Sequence, residues 1–186
     1  MSNSSQHSEF NNPKIKPLFD QQTIEKRVKE LGQQITRDYV GHDLVLICVL
    51  KGACIFMSDL IRAIDLPVAI EFIAVSSYGA SSKSSGEVRI MKDSDMSLKN
   101  KDVLIVEDIV DTGLTLSYLQ DMFRRREANS VAVAACFDKP ERRLKAVDVA
   151  YTGFVIPNAF VVGYGLDYAG RYRNLPFVGI LEDLQE

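Results

Sequence analysis

The chain has 186 residues, 46% of them hydrophobic, which suits one core of ordinary domain size and falls short of two. A formal net charge of -3 argues against a protein whose main partner is nucleic-acid backbone, because that partner needs clustered, unopposed Lys and Arg. The three cysteines, Cys48, Cys54 and Cys136, form an odd set in apolar surroundings without CxxC spacing, and they read as reduced core thiols, not as disulfides or a zinc site.

Residues 1 to 17, MSNSSQHSEFNNPKIKP, are polar and bury little, so they are expected to form a disordered or loosely attached lead-in to a single domain over 18–186. They contain no signal-peptide run, and no later stretch reaches the roughly 20 apolar residues that span a bilayer. The expectation is a soluble, cytoplasmic protein with no membrane partner. Behind Thr23, the residues Ile24, Val28, Leu31, Ile35 and Tyr39 recur at helical spacing, and this helix ends near Gly41. Leu44 to Leu50 is a continuous apolar run of strand length, followed by a turn at Gly52 and a helix over Ala53 to Ile64. Val68 to Val75, Val103 to Val106, Val131 to Phe137 and Phe160 to Val162 are further short apolar runs, and Leu114 to Arg125 is an amphipathic helix between two of them. Strands without strict alternation, interleaved with helices, predict a mostly parallel sheet covered on both faces, an α/β fold. Between Ser76 and Glu87 the chain reads SSYGASSKSSGE, a long loop that serves either as a lid or as a solvated connection.

The strongest chemical signal follows the strand Val103 to Val106. Glu107 and Asp108 are adjacent carboxylates at the carboxyl end of a strand, where open α/β sheets bind ligands. They repel each other unless a cation or hydroxyl groups compensate, which points to a ribose diol with magnesium nearby. Asp111-Thr112-Gly113-Leu114-Thr115 then opens a helix, bringing backbone amides, two hydroxyls and a helix N-terminus to one point, a design for binding an anion. The triplet Asp111-Thr112-Gly113 alone also reads as an ordinary helix cap.

Taken whole, Leu104 to Thr115, LIVEDIVDTGLT, resembles the loop of the phosphoribosyltransferase family that binds 5-phosphoribosyl 1-diphosphate (PRPP). The resemblance implies the type I fold of that family, a mostly parallel sheet flanked by helices with a small hood built from chain-terminal segments. It implies that Glu107 and Asp108 bind the ribose hydroxyls and that Asp111, Thr112, Gly113, Leu114 and Thr115 wrap the 5'-phosphate. Four further segments resemble the hypoxanthine-guanine branch of the family. By that resemblance, pyrophosphate is received by Leu50, Lys51 and Gly52 of the turn Val49–Ala53, by Ser77 and Tyr78 at the start of a closing loop, and by Arg173. Lys139 donates to the exocyclic oxygen of a 6-oxopurine, Phe160 stacks on the purine, and the Val161 backbone and Asp167 complete that side of the site. Magnesium is the implied cofactor, with Glu107, Asp108 and Asp167 as its protein ligands.

The implied reaction is purine salvage: the phosphoribosyl group of PRPP passes to hypoxanthine or guanine, giving a nucleoside monophosphate and pyrophosphate. Of the two histidines, His7 lies in the lead-in and His42 in a turn, so a carboxylate fits the catalytic role, with Asp111 as general base at purine N7. Association into a homodimer or homotetramer is the family expectation. Two rivals are a phosphoribosyltransferase for xanthine or a pyrimidine, and a regulator that senses nucleotides through the same loop. Lys139 with Phe160 argues against a pyrimidine, and the charge balance and length offer no DNA-reading surface.

Overall fold

The computed structural model describes residues 14–77 and 88–182. Along them run β1 (Ile15–Phe19), α1 (Gln21–Asp38), β2 (Leu44–Leu50), α2 (Ala53–Ala63), β3 (Ala69–Ser77) and β4 (Val88–Lys92). These are followed by β5 (Asp102–Val110), α3 (Leu114–Arg125), β6 (Ser130–Asp138), β7 (Tyr151–Val155), β8 (Val161–Val162) and β9 (Val178–Leu181). The main sheet has the order β4-β3-β2-β5-β6-β7. Every neighbouring pair in it is parallel except β3 and β4.

The continuous apolar runs become central strands because successive side chains enter two different cores. From β2, Leu44, Leu46 and Cys48 pack into the layer that holds α1 and α2, while Val45, Ile47 and Val49 pack into the layer that holds α3. Strand β5 divides its residues the same way, Leu104 and Val106 to the first layer, Val103 and Ile105 to the second. Each large side chain buried in this manner stabilises the fold by about 1.5–3 kcal/mol.

Helix α1 begins earlier than expected. Asp20 is its N-cap, its Oδ1 accepting from the Thr23 amide at 2.8 Å, so Thr23 lies inside the first turn instead of ahead of it. The buried face is the expected Ile24, Val28, Leu31 and Ile35.

A second sheet, ordered β1-β9-β8 and antiparallel, joins the two ends of the described chain into a hood. It corrects the lead-in expected over 1–17, because Ile15 pairs with Leu181, Lys16 with Ile180 and Pro17 with Gly179. The strand Ile-Lys-Pro-Leu-Phe is short, contains a proline that only an edge strand tolerates, and finds its partner at the far end of the sequence. Nothing local advertises it. Residues 1–13 lie outside the described residues. Among those described, no helix is long and apolar enough to cross a membrane.

Candidate active site

Strand β5 runs past the expected boundary at Val106, so Glu107 and Asp108 are strand residues, with Glu107 paired to Ala135 of β6. The parallel register sets Cys48 of β2 beside Val106, and the turn that leaves β2 therefore passes close to the acids. A Cβ on Gly52 would stand 1.5 Å from Asp108 Oδ2 and 3.1 Å from Arg173 Nη1, which is why this turn carries a glycine. The peptide between Leu50 and Lys51 is cis, and Lys51 is exposed.

Glu107 is only 9% exposed. Burial, with the neighbouring Asp108 charge added, pushes its carboxyl well above the usual range. Burial raises Asp108 too, against the bonds it accepts from Glu107 and the Ile109 amide and against the Arg173 charge. A carboxyl raised by folding favours the native state fully below its unfolded value near 4.5, and that contribution is lost as pH rises through the raised native value. At neutral pH the ligand-free acidic pair is therefore a stability cost. Glu107→Gln is expected to raise the Tm of the ligand-free protein by about 2–4 °C at pH 7, corresponding to about 1 kcal/mol. Its advantage over the parent should shrink toward pH 4.5, which thermal melts across that range will show.

After Val110 the chain turns through Asp111, Thr112 and Gly113 into α3. Gly113 takes a left-handed φ of 81°, and a Cβ there would stand 2.3 Å from the Lys145 carbonyl oxygen. The Thr112 carbonyl accepts from the amides of Leu144 at 2.9 Å and Lys145 at 3.0 Å, which fastens the loop to the segment after β6. Gly113 at the N-cap has no side chain to cap α3, and of the first-turn amides Leu114 meets only Thr112 Oγ1, at a long 3.5 Å, which leaves this end of the helix open to an anion. A cavity of about 220 Å³ opens there, lined by Glu107, Asp111, Thr112, Gly113 and Thr115.

Asp111 Oδ1 is buried and accepts no hydrogen bond. Arg142 Nε lies 3.1 Å from it, near enough for ion pairing but not aligned to donate, so this oxygen keeps its acceptor capacity. Arg142 sits on a 3-10 turn, Pro140–Arg142, directly after Lys139. Its part in the site escaped sequence reading because the pair Arg142-Arg143 reads as a solvated charge, and only the return of this segment over the Thr112 carbonyl brings it to Asp111.

Lys139 is 7% exposed, its amide bonded to the Val110 carbonyl at 2.9 Å and its ammonium donating to the Ala159 carbonyl at 2.6 Å. Burial lowers its pKa from the ordinary lysine value, opposed by the Asp111 charge. Phe160 follows Ala159 and is 41% exposed, with Tyr168 against it edge to face at a centroid distance of 5.7 Å. Val161 opens β8 and is buried. Thus Lys139, Phe160 and Asp111, far apart in sequence, share one side of the site.

Further along the chain, Arg173 Nη2 meets Asp167 Oδ1 at 2.6 Å, and its Nη1 donates to the Gly165 carbonyl at 2.6 Å. Asp167 Oδ2 also accepts from the Gly170 amide at 2.8 Å. Arg173 and Asp167 therefore join the cluster of Gly52 and Asp108. Ser77 ends β3. Tyr78 and the rest of the expected lid, through residue 87, lie outside the described residues.

The phosphoribosyl transferase domain family matches residues 14–169. A hypoxanthine-guanine phosphoribosyltransferase of Streptococcus thermophilus is 52% identical over 168 residues, covering 90% of this chain and 93% of that protein. The enzyme of the same name from Streptococcus pyogenes is 49% identical over the same shares. The crystal structure of a hypoxanthine phosphoribosyltransferase from Staphylococcus aureus superposes with a TM-score of 0.91 at 46% identity, covering 95% of this chain and 96% of that one. By its match to the family over residues 14–169 and its identity to these enzymes over nine-tenths of its length, the chain belongs to the phosphoribosyltransferase family, on the branch that holds the hypoxanthine-guanine phosphoribosyltransferases.

Proposed function

We propose that the protein transfers the 5-phosphoribosyl group of PRPP to hypoxanthine or guanine, forming IMP or GMP and pyrophosphate. The observation that carries this reading is Lys139, a nearly buried ammonium held by the Ala159 carbonyl beside the open face of Phe160. An ammonium can only donate, so it suits a carbonyl oxygen at purine C6 and opposes the amino group of adenine. The phosphate loop, Asp111 to Thr115, takes the 5'-phosphate, and Glu107 and Asp108 accept from the ribose hydroxyls.

As N9 attacks the anomeric carbon, the bond to diphosphate breaks and the ribose ring gains oxocarbenium character. The Asp111 carboxylate takes or holds the proton at purine N7. Lys51, the Gly52 backbone and Arg173 meet the charge that collects on the departing diphosphate. No covalent enzyme intermediate is required.

Magnesium fits the donor set. Among the described residues no three of His, Cys, Asp and Glu come together as a cage, whereas magnesium is commonly held by one or two carboxylates with substrate phosphates and water as its other ligands. Glu107 and Asp108 on one side and Asp167 on the other would hold it, and it would supply positive charge against the diphosphate. Its three cysteines are free, which suits the reducing cytoplasm as its place of action, and association into a homodimer or homotetramer is part of the same proposal.

The deciding experiment supplies PRPP and magnesium and offers hypoxanthine, guanine, xanthine, adenine and uracil separately, with nucleotide formation measured for each. Product from hypoxanthine and guanine is expected. Product from none of the bases would favour a nucleotide-sensing regulator. Gly113→Ala tests the phosphate loop in parallel: the added Cβ combines a disfavoured φ with contact on the Lys145 carbonyl. It should destabilise the fold by about 1–3 kcal/mol and raise the PRPP Kd at least tenfold, measured by melts and calorimetry.

A further inference from the structure

Three consecutive residues between the purine side and the pyrophosphate side adopt left-handed backbone: Gly163 (φ 100°), Tyr164 (φ 47°) and Gly165 (φ 98°). Glycine enters this region freely, whereas a tyrosine there is strained and persists only where its surroundings hold it. Tyr164 is 5% exposed, its amide donates to the Leu175 carbonyl at 2.9 Å, and its hydroxyl donates to Asp59 Oδ2 at 2.7 Å. Burial, and then the bond to Asp59, push this phenol above the usual tyrosine range, so it stays a donor at neutral pH. Asp59 is held from its other oxygen by Arg62 at 2.5 Å.

The turn that Tyr164 centres is built into the pyrophosphate side. A Cβ on Gly165 would stand 2.2 Å from the Gly52 carbonyl oxygen, so the two backbones touch. The Gly165 amide donates to the Arg173 carbonyl at 2.9 Å, and the Gly165 carbonyl accepts from the Arg173 guanidinium at 2.6 Å. Gly52 also precedes α2, the helix that carries Asp59 about 10 Å further along at 1.5 Å per residue. The contacts therefore close a ring: Gly52, α2, Asp59, Tyr164, Gly165 and back to Gly52. Two anchor points that far apart fix the angle of the turn against the helix as well as its distance.

We propose that Tyr164 is a positioning residue for pyrophosphate: its bond to Asp59 holds the left-handed turn, and through it Gly52 and Arg173, in the arrangement that the diphosphate requires. This rests on the phosphoribosyl-transfer reading given above. Tyr164 touches no substrate. It acts through Gly165, which aims the Arg173 guanidinium and backs the Gly52 peptide.

The test is a pair of calorimetric titrations, magnesium pyrophosphate and IMP, each into the parent and into Tyr164→Phe, which keeps the ring and loses only the hydroxyl. The Kd for pyrophosphate should rise about tenfold in the variant, the scale of one lost hydrogen bond to a charged group, while that for IMP stays within about twofold. Asp59→Ala, on the outer face of α2, should give the same selective loss, and the double variant should bind pyrophosphate no more weakly than either single one. If Tyr164→Phe does not fold, Asp59→Ala carries the test alone. A parent that binds both ligands and variants that lose neither, or lose both alike, overturn the positioning role and leave the transfer reading standing. A parent that binds neither ligand overturns the transfer reading and the positioning role with it.

Discussion

Asp111→Asn should lower kcat by about 10²- to 10⁴-fold while leaving the PRPP Kd within a few-fold of the parent, the range expected when one positioned proton acceptor is lost. The substitution is nearly isosteric, so Thr112, Gly113 and Thr115 keep their places in the turn and the Thr112 carbonyl keeps its bonds to Leu144 and Lys145. What changes is the atom at Oδ1. In the parent it is a buried carboxylate oxygen with no hydrogen bond, and Arg142 Nε stands 3.1 Å away without donating to it. The side chain as a whole is 40% exposed, and it is from that open side that the carboxylate can meet a proton on the substrate. An asparagine offers either a neutral carbonyl, a far weaker base, or an amide that donates where N7 must also donate. Arg142 would then face a neutral group, and the lost ion pair is half exposed and contributes little to stability. Steady-state rates with calorimetric PRPP titration separate the two quantities. Turnover within a few-fold of the parent would remove Asp111 from the base role, and a PRPP Kd that worsens in step with kcat would assign it to the phosphate loop alone.

The parts of this fold that could be read in the sequence are those whose cause is local. Leu44 to Leu50 and Leu114 to Arg125 stand in the structure with the bounds expected of them, because an unbroken apolar run and a helical stripe each carry their own periodicity. β4, β7 and β9 were not legible. VRIMK and YTGFV mix polar and apolar residues at the sheet edges, and VGIL is a stub that pairs only with other short hood strands. The extension of β5 to Val110 was hidden for a different reason, since two adjacent acids ordinarily end a buried strand and here lie within one. The turn Asp111 to Gly113 into α3 was legible because its residues are consecutive in sequence. The couplings that surround it were not: Arg142 reaches Asp111, and Tyr164 reaches Asp59, only after the sheet has brought distant segments together.

Lys139→Met carries the second large effect, a change of substrate preference. The kcat/KM for hypoxanthine should fall by about 10- to 100-fold, since a charged donor to the purine oxygen is lost, while that for adenine holds or rises. Methionine is the informative replacement because it keeps the length and volume of a side chain that is only 7% exposed, so that the result reports the ammonium and not a cavity. The parent ammonium is tied to the Ala159 carbonyl by one of its three protons, which fixes its direction and leaves two for the base. On the proposed reading, that tie lets a flexible side chain discriminate: the donor is already aimed beside Phe160, and adenine would bring its own amino hydrogens against it. Methionine removes this opposition without supplying an acceptor, so adenine gains relative to hypoxanthine but does not become a matched substrate. Lys139→Gln provides the contrast, because an amide can turn either its oxygen or its nitrogen toward C6 and should admit both bases with intermediate preference. If Lys139→Met still rejects adenine to the same degree as the parent, the purine is read at C6 by some other group, and the exposed face of Phe160 with the backbone at Val161 becomes the place to look.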